Sequence, residues 1–505
     1  MFTLKNLPAI DKSGFQAQRG PSYGFSLATL EPFTVVVALG TFAMALRTVT
    51  DPDVWWHLRT GQLIWQDHAI FRTDPYSFTR FGQPWINHEW LTDAIMYLIF
   101  RVGSWTALSV AFAALASFGF LLAYGRCKAS PAIAAFLTVC GVTAAMPSLG
   151  VRPQVVSFLF ASFALWILDR SQQRPRILFW MVPLTLVWVN MHAGYAIGVA
   201  LILLYLIGMG LEMGLGSVTW GTTKARLRNL IITLGGCLAV IPLNPYGTAM
   251  YTYPFKTLSS PAMQSAIQEW SSPNFHELKH LPTLLLILAL LALVAVKPQR
   301  LAAHEMLLVT AALAGSLLSV RHIPLLALVA IPILSELLQI TSDKTRTADH
   351  YEPSVASAHI FANTVLVVAM LVFSLARVLQ TSQGQSANVA VSFPQGAASF
   401  LTQQRGGERL LNPYDWGGYM IWKLYPEHLV FIDGRADVYT DALVNESVAS
   451  YNLRGNWYDP IKKWDIMTAL LPRQAPLVQG LKARGWTAIY ADSQAVILRR
   501  PDLSR

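Results

Sequence analysis

The sequence predicts an α-helical polytopic membrane protein of about eleven transmembrane helices, followed by a small C-terminal α/β domain. Three observations carry that reading. The chain is 53% hydrophobic and only 13% charged, against roughly 25% charged residues in soluble domains. Its apolar residues gather in runs long enough to cross about 30 Å of hydrocarbon. Beyond residue 392 those runs stop, and short alternating strands and helices take their place. The net charge of +10 does not point to nucleic acid, because the basic residues form short clusters between apolar runs, where the positive-inside rule explains them.

Residues 1–30 are polar and carry Lys5, Lys12 and Arg19, as expected of a cytoplasmic segment ahead of a retained first span with no cleavage site behind it. Apolar segments follow near 31–48, 105–124, 131–149, 153–168, 177–191, 194–213, 229–243, 281–297, 301–320, 322–340 and 360–379, so the transmembrane region covers 31–380. With the N-terminus inside, the inner loops hold Arg126 and Lys128, then Arg170, Arg174 and Arg176, then Lys224, Arg226 and Arg228, then Lys297 and Arg300, then Lys344 and Arg346. Each is basic, as the rule requires. The same assignment puts loops 49–104 and 244–280 and the C-terminal domain on the outer face of a bacterial-type inner membrane. The cysteines Cys127, Cys140 and Cys237 lie in or beside apolar segments without metal spacing, which leaves no disulfide framework.

In the first outer loop, Val54, Leu58, Gly61 and Trp65 recur at helical spacing with Trp55 beside them, while His57, Thr60 and Asp67 fall elsewhere. That pattern predicts a helix lying on the bilayer surface. Turn signals follow at Asp74-Pro75 and Gly82-Gln83-Pro84, and Asn87 reads as the cap of a second helix beginning at His88 and Glu89. After the last span, 381–392 reads as a polar linker to the domain at 393–505. Its expected strands are Glu408–Asn412, His428–Asp433, Asp465–Leu471, Thr487–Asp492 and Ala495–Arg500, with helices near 394–404, 415–425 and 474–484.

On this topology the outer ends of alternate spans carry Asp51 and Asp53, Arg152 and Gln154, Asn190 and His192, Asn244 and Tyr246, and Arg321 and His322. Polar residues at the edge of a membrane face a cavity in preference to lipid, so a wet cavity opening outward is expected. It suits an anionic lipid: Arg152 and Arg321 are the expected phosphate partners through paired guanidinium donors, with His192 and His322 beside them. The alternative is that both arginines snorkel to headgroups.

Transfer of a sugar to an alcohol or amide needs a group that takes the acceptor's proton, and a carboxylate within reach does so. Asp53 is the first candidate and Asp51 the second, against the alternative that either caps the surface helix. Glu89 is a second acid, or with Asp53 and His57 or His88 a ligand of a divalent ion such as magnesium or manganese, although the spacing fits no metal motif and the helix dipole alone favours a glutamate in a first turn. In the C-terminal domain, Asp415 and Trp416 lead into a helix, and Asp433 and Arg435 end a strand with Asp437 beyond them. Loops of this kind commonly bind ligands, which makes Asp415, Trp416, Asp433 and Arg435 candidates for contact with the acceptor; capping explains Asp415 and Asp433 equally well.

These features resemble the GT-C class of membrane glycosyltransferases, which includes protein mannosyltransferases, aminoarabinose transferases and oligosaccharyltransferase catalytic subunits. The resemblance lies in the cytoplasmic N-terminus, the acidic first outer loop with its helices, the many spans and the external C-terminal domain. It implies inverting transfer from a polyprenyl-phosphate or polyprenyl-diphosphate sugar on the outer face, with the family's first-loop acid falling on Asp53 or Asp51. A local likeness adds to it: Tyr414-Asp415-Trp416-Gly417 is similar to the Trp-Trp-Asp-Tyr-Gly signature of oligosaccharyltransferases. Pro413-Tyr414 stands where that signature has a tryptophan pair, and no second Asp-x-Asp loop is present, so the class carries over and sequon recognition does not.

The partners implied are a polyprenyl-phosphate sugar, membrane lipids, and a glycan, lipid or protein acceptor. Two other readings compete: a carrier of lipid-linked glycans, and a non-catalytic subunit of a larger membrane complex with this fold. Against the carrier, transporters place ionisable residues near the midplane between repeated halves, whereas here they cluster at one face with no repeat.

Overall fold

The computed structural model of the protein describes residues 32–258, 260, 261, 264, 268–297, 301–342, 353–404 and 407–501. The expected cytoplasmic segment 1–30 and the basic residues Arg300, Lys344 and Arg346 lie outside them.

Each of the eleven apolar segments falls on a helix. In chain order the helices are α1 (Pro32–Ala45), α2 (Val54–Asp67), α3 (Trp90–Tyr124), α4 (Pro131–Ala145), α5 (Gln154–Arg170), α6 (Met181–Met191), α7 (Tyr195–Gly214), α8 (Trp220–Val240), α9 (Tyr253–Leu258), α10 (Leu281–Val296), α11 (Ala303–Leu318), α12 (Ile323–Ser342) and α13 (Pro353–Ser392). Among the described residues, seven helical stretches are long and apolar enough to cross a membrane, and three more are apolar but shorter. α3 is two helices in one, broken where Gly103 and Ser104 leave helical geometry, so its second half matches the expected span at 105–124. The described basic loop residues lie at one end of the bundle, where Arg126 Nε meets Asp169 at 2.6 Å and Lys128 meets Glu336 at 2.7 Å.

Two expectations fail here for physical reasons. The segment 381–392 is no linker but the last turns of α13. Its polar residues satisfy the chain leaving α1: the Gln385 carboxamide accepts from Val49 N and donates to Val49 O, both at 2.8 Å. α2 does not lie on a lipid surface either. Val54, Leu58 and Gly61 are buried in protein, and Trp55 packs edge-on against Trp105, Phe393 and Tyr419. Of the expected lipid-facing set only Trp65 is exposed, at 44%, while His57 and Thr60, expected on the polar side, are buried. The second helix starts at Trp90 with Glu89 at the cap position, and Asn87 instead donates from Nδ2 to Asp93 at 3.0 Å.

The C-terminal unit is a four-stranded sheet in the order β1-β2-β4-β3, with β1 (Leu410–Leu411) parallel to β2 (Thr468–Pro472) and β4 (Ala495–Arg499) antiparallel to both β2 and β3 (Thr487–Ala491). Around it lie α14 (Gln395–Thr402), α15 (Tyr414–Leu424), α16 (Asp441–Tyr451), α17 (Asp459–Lys463) and α18 (Pro476–Ala483). The expected strand His428–Asp433 makes only isolated bridges, from Val430 to Leu410 and to Ser77. The bridge to Ser77 joins the unit to the first loop. Phe78 N donates to Val430 O at 3.1 Å, Val430 N to Tyr76 O at 3.0 Å, and Thr79 Oγ1 to Phe431 O at 2.7 Å.

A buried ion triad fastens the same junction. Arg435 gives Nε and Nη2 to the two oxygens of Asp433 at 2.8 and 2.7 Å and meets Asp74 through Nη1 at 2.8 Å. Its guanidinium lies over the rings of Tyr76 and Trp85, 4.8 and 4.6 Å from their centroids. Removing one member of such a set leaves the others buried and uncompensated. Arg435→Ala is therefore expected to cost about 3–5 kcal/mol, read as a lower unfolding temperature and earlier proteolysis of the C-terminal unit; unchanged thermal stability would contradict the triad's role.

Candidate active site

The turn between α1 and α2, the start of α3, the chain breaks before α5, between α6 and α7 and between α11 and α12, and two loops of the C-terminal unit enclose one cavity of about 630 Å³. Asp53, His57, His88, Glu89, Arg152, Gln154, His192, Arg321, His322 and Asp415 line it. The polar helix ends thus meet as expected, with four exceptions: Asp51, which pairs with Arg152 without lining the cavity, and three asparagine and tyrosine side chains. Asn190 accepts from Trp90 Nε1 at 3.2 Å, Asn244 donates to Val189 O at 2.8 Å, and Tyr246 donates to Phe71 O at 2.5 Å, so these three brace the walls.

Asp53 stands at the cap position of α2, yet its side chain makes no capping bond. Its Oδ1 accepts from Trp56 Nε1 at 3.2 Å, and its Oδ2 lies 3.9 Å from Arg152 Nη2. Burial, then the neighbouring Asp51, push its pKa up to about 6, with Arg152 opposing. Asp51 has a structural task. One oxygen accepts from Asp53 N at 2.8 Å and the other pairs with Arg152.

The two arginines differ. Arg152 is committed, bridging Asp51 and Glu269 with Asp53 beyond. Arg321 stacks 5.1 Å over the Trp270 ring, and among the described residues its guanidinium meets no carboxylate. Trp270 Nε1 and His322 Nδ1, both in residues that line the cavity, are buried without a partner. This corner therefore offers a cation and two further ring nitrogens to a ligand that the protein itself does not supply.

Glu89 sits among three imidazoles, 3.6 Å from His57 Nε2 and 3.3 Å from each of His88 Nε2 and His192 Nε2. Each ring is held from behind. His57 Nδ1 meets Asp93 at 2.6 Å, His88 Nδ1 meets the Tyr253 hydroxyl at 2.7 Å, and His192 Nδ1 accepts from Gly194 N at 2.9 Å. Because His192 Nδ1 is an acceptor, its proton sits on Nε2 and points at Glu89. Burial raises the Glu89 pKa, but the three imidazoles outweigh it and hold the carboxyl well below its usual range. Burial lowers His57, and Asp93 with Glu89 outweigh it to bring that ring to about 8. Glu89 is accordingly a fixed anion and a poor base, and Asp53 is the better-tuned proton acceptor.

No family model matches the sequence, and no curated protein matches it at a significant level. Solved structures do align. Archaeal oligosaccharyltransferase AglB from Archaeoglobus fulgidus, in complex with an inhibitory peptide and a dolichol-phosphate, aligns with 94% of this chain and 74% of its own at TM-score 0.52 and 11% identity. The apo form of the Archaeoglobus fulgidus enzyme covers 94% and 75% at TM-score 0.54 and 11% identity. The form tethered with an acceptor peptide containing the NVT sequon covers 87% and 69%, also at TM-score 0.54 and 11% identity.

The fold is GT-C. At 11% identity the likeness concerns the fold alone, and the chemistry has to come from the residues. Within this cavity the expected metal set is not brought together: Asp53 is engaged by Trp56 and Arg152, Glu89 is enclosed by three imidazoles, and among the described residues no three His, Cys, Asp or Glu side chains are arranged to hold a metal ion. Of the four acceptor candidates in the C-terminal unit, Asp415 faces the cavity as an exposed carboxylate. Trp416 is turned away, 7% exposed and donating to Ser392 O at 3.2 Å, while the carboxylate of Asp433 and the guanidinium of Arg435 are spent in the buried triad. His192 serves Glu89 rather than standing free for a phosphate.

Sequence reasoning missed Tyr253, Glu269, Trp270 and Tyr414 as cavity residues. Glu269 and Trp270 carried a usable signal, an acid beside a tryptophan in a loop already assigned to the outer face.

Proposed function

We propose that the protein is an integral membrane glycosyltransferase that moves a sugar from a polyprenyl-monophosphate carrier to a glycan, lipid or protein acceptor on the outer face. The observation that carries the reading is the pairing, in one cavity, of an uncommitted guanidinium at Arg321 with a carboxylate at Asp53 tuned near neutral pH. In this picture the prenyl chain lies along the spans, the phosphate binds at Arg321 with Trp270 and His322, and the sugar extends towards Asp53. The acceptor oxygen or nitrogen attacks the anomeric carbon, the carbon–phosphate oxygen bond breaks with its electrons going to the phosphate, and Asp53 takes the acceptor's proton. Arg152 keeps Asp51 and Glu269 from repelling the donor. One phosphate suits the site, since Arg152 is already occupied and the remaining walls are rich in carboxylates. The dolichol-phosphate named with the AglB structure is a ligand of this chemical class. The N-terminus is cytoplasmic and the C-terminal unit periplasmic or extracellular, as the basic loops at the far end of the bundle support.

The test is to supply purified protein with polyprenyl-monophosphate sugars and host membrane extract, and to follow release of polyprenyl phosphate. Release that depends on the extract is expected. Binding without release would favour a carrier or a non-catalytic subunit. Because the base must be ionised, kcat/KM is expected to fall as pH drops through about 6, the pKa of Asp53; an acid limb near 4 would exclude Asp53 in its present environment as the group responsible.

A further inference from the structure

Two glycines, Gly418 and Gly434, bring the C-terminal unit against the turn that carries Asp53, and a third, Gly417, packs the unit within itself. A Cβ on Gly434 would fall within the envelope of the Asp53 carboxylate itself, nearest Oδ1. A Cβ on Gly418 would strike Pro52 O and come within 3.3 Å of the Trp56 ring, and one on Gly417 would strike Ile432 O and the Asp433 backbone. None of the three is among the glycines with positive φ. Their backbone conformation is open to any residue, so what demands glycine is space. Gly417 lets α15 lie on the loop 432–434, Gly418 lets the same helix lie on Pro52, and Gly434 lets that loop lie on the carboxylate.

The loop in turn is not free to move. Its neighbours Asp433 and Arg435 are locked in the triad with Asp74, and Tyr414 donates to Gly434 O at 3.0 Å. On its other sides Asp53 accepts from Trp56 Nε1 at 3.2 Å and lies 3.9 Å from Arg152 Nη2. We propose that Gly434 is the positioning residue for Asp53: its bare backbone seats the C-terminal unit directly on the carboxylate, which fixes the rotamer and excludes water from one side. The C-terminal unit is then part of the reaction centre and not only a surface for the acceptor. Burial as the leading cause of the raised Asp53 pKa agrees with such a seat.

The inference rests on the transferase reading for its catalytic consequence but not for the contact itself, and two measurements separate them. In the first, Gly434→Ala lowers thermal stability, and Asp53→Ala in the same chain restores it, because the smaller side chain leaves room for the new methyl. Gly210→Ala, inside α7 with nothing near its Cβ, is the control and should be no less stable than wild type, since alanine favours a helix interior over glycine. A double variant no more stable than Gly434→Ala would overturn the seat, whatever the protein catalyses. In the second, Gly434→Ala lowers kcat on the order of 10²-fold, the scale of a misplaced catalytic group, with donor KM unchanged and the acid limb moved below pH 6. Gly434→Ala in an Asp53→Asn background then adds no further loss. A wild-type rate and pH profile in Gly434→Ala would overturn the positioning role. If wild type itself shows no transfer, the transferase reading fails while the stability swap still decides the contact.

Discussion

Asp53→Asn is expected to cut sugar transfer to a small residual rate while leaving lipid-phosphate binding as in wild type. The substitution keeps the shape of the side chain and its bond from Trp56 Nε1, but an amide oxygen has almost no affinity for a proton at neutral pH. General-base assistance is worth about 10² to 10⁴ in rate, so kcat should fall by that factor with donor affinity unchanged. Asp51→Asn should act differently. It weakens the pairing with Arg152 and shifts the Asp53 environment, lowering the rate by less. The measurement is kcat and donor Kd for the three proteins side by side. Equal rates in wild type and Asp53→Asn would remove Asp53 from the mechanism.

Arg321→Ala is expected to show the reverse pattern, a loss of donor binding. Its guanidinium lies over Trp270 and, among the described residues, meets no carboxylate, so a bound phosphate would be its ionic partner. Truncating one partner of a buried, hydrogen-bonded charge pair costs about 2–5 kcal/mol, roughly 30-fold or more in Kd. Arg321→Lys should recover only part of this, because an ammonium keeps the charge but loses the planar two-donor fork and the stack on the indole. Arg152→Ala offers the comparison. That arginine is already bridged to Asp51 and Glu269, and its loss should disturb the carboxylates and the rate more than the affinity. Equal donor affinity in wild type and Arg321→Ala would move the phosphate elsewhere.

Much of the fold was legible in the sequence because a membrane imposes a local rule: a run of apolar residues of sufficient length becomes a helix whatever its neighbours. The cavity followed from the same rule, since Arg152, His192 and Arg321 stand at helix ends whose depth the topology sets. α2 shows where the rule stops. Helical periodicity says that Val54 and Leu58 share an apolar face, but not whether lipid or protein covers it, and the residues that cover Trp55 come from Trp105, Phe393 and Tyr419. Segment 381–392 misled for a related reason. Its polarity does mark exposure along one face, but the segment stays helical, and from its buried face Gln385 pairs with backbone groups at Val49.

At the site, type and spacing singled out Asp53 with Asp51, and Arg152 with Arg321, but could not divide the tasks within either pair. Nothing local distinguishes Arg435, buried against Asp433 and Asp74, from an arginine presented by a loop. The three-histidine setting of Glu89 was equally hidden, because His192 enters from a different span and its tautomer is set by Gly194. The glycines of the C-terminal unit looked like turn formers. Gly434 is there because a carboxylate from the first loop occupies the place of its side chain.

The most direct test of a single displacement assisted by Asp53 is the yield and anomeric configuration of the product formed from a polyprenyl-monophosphate sugar of defined configuration. Wild-type protein should form a product whose anomeric centre is inverted, with Asp53→Asn forming it about 10²- to 10⁴-fold more slowly while still binding the donor. Retention of configuration, or bound donor with no product from wild type, would contradict the account.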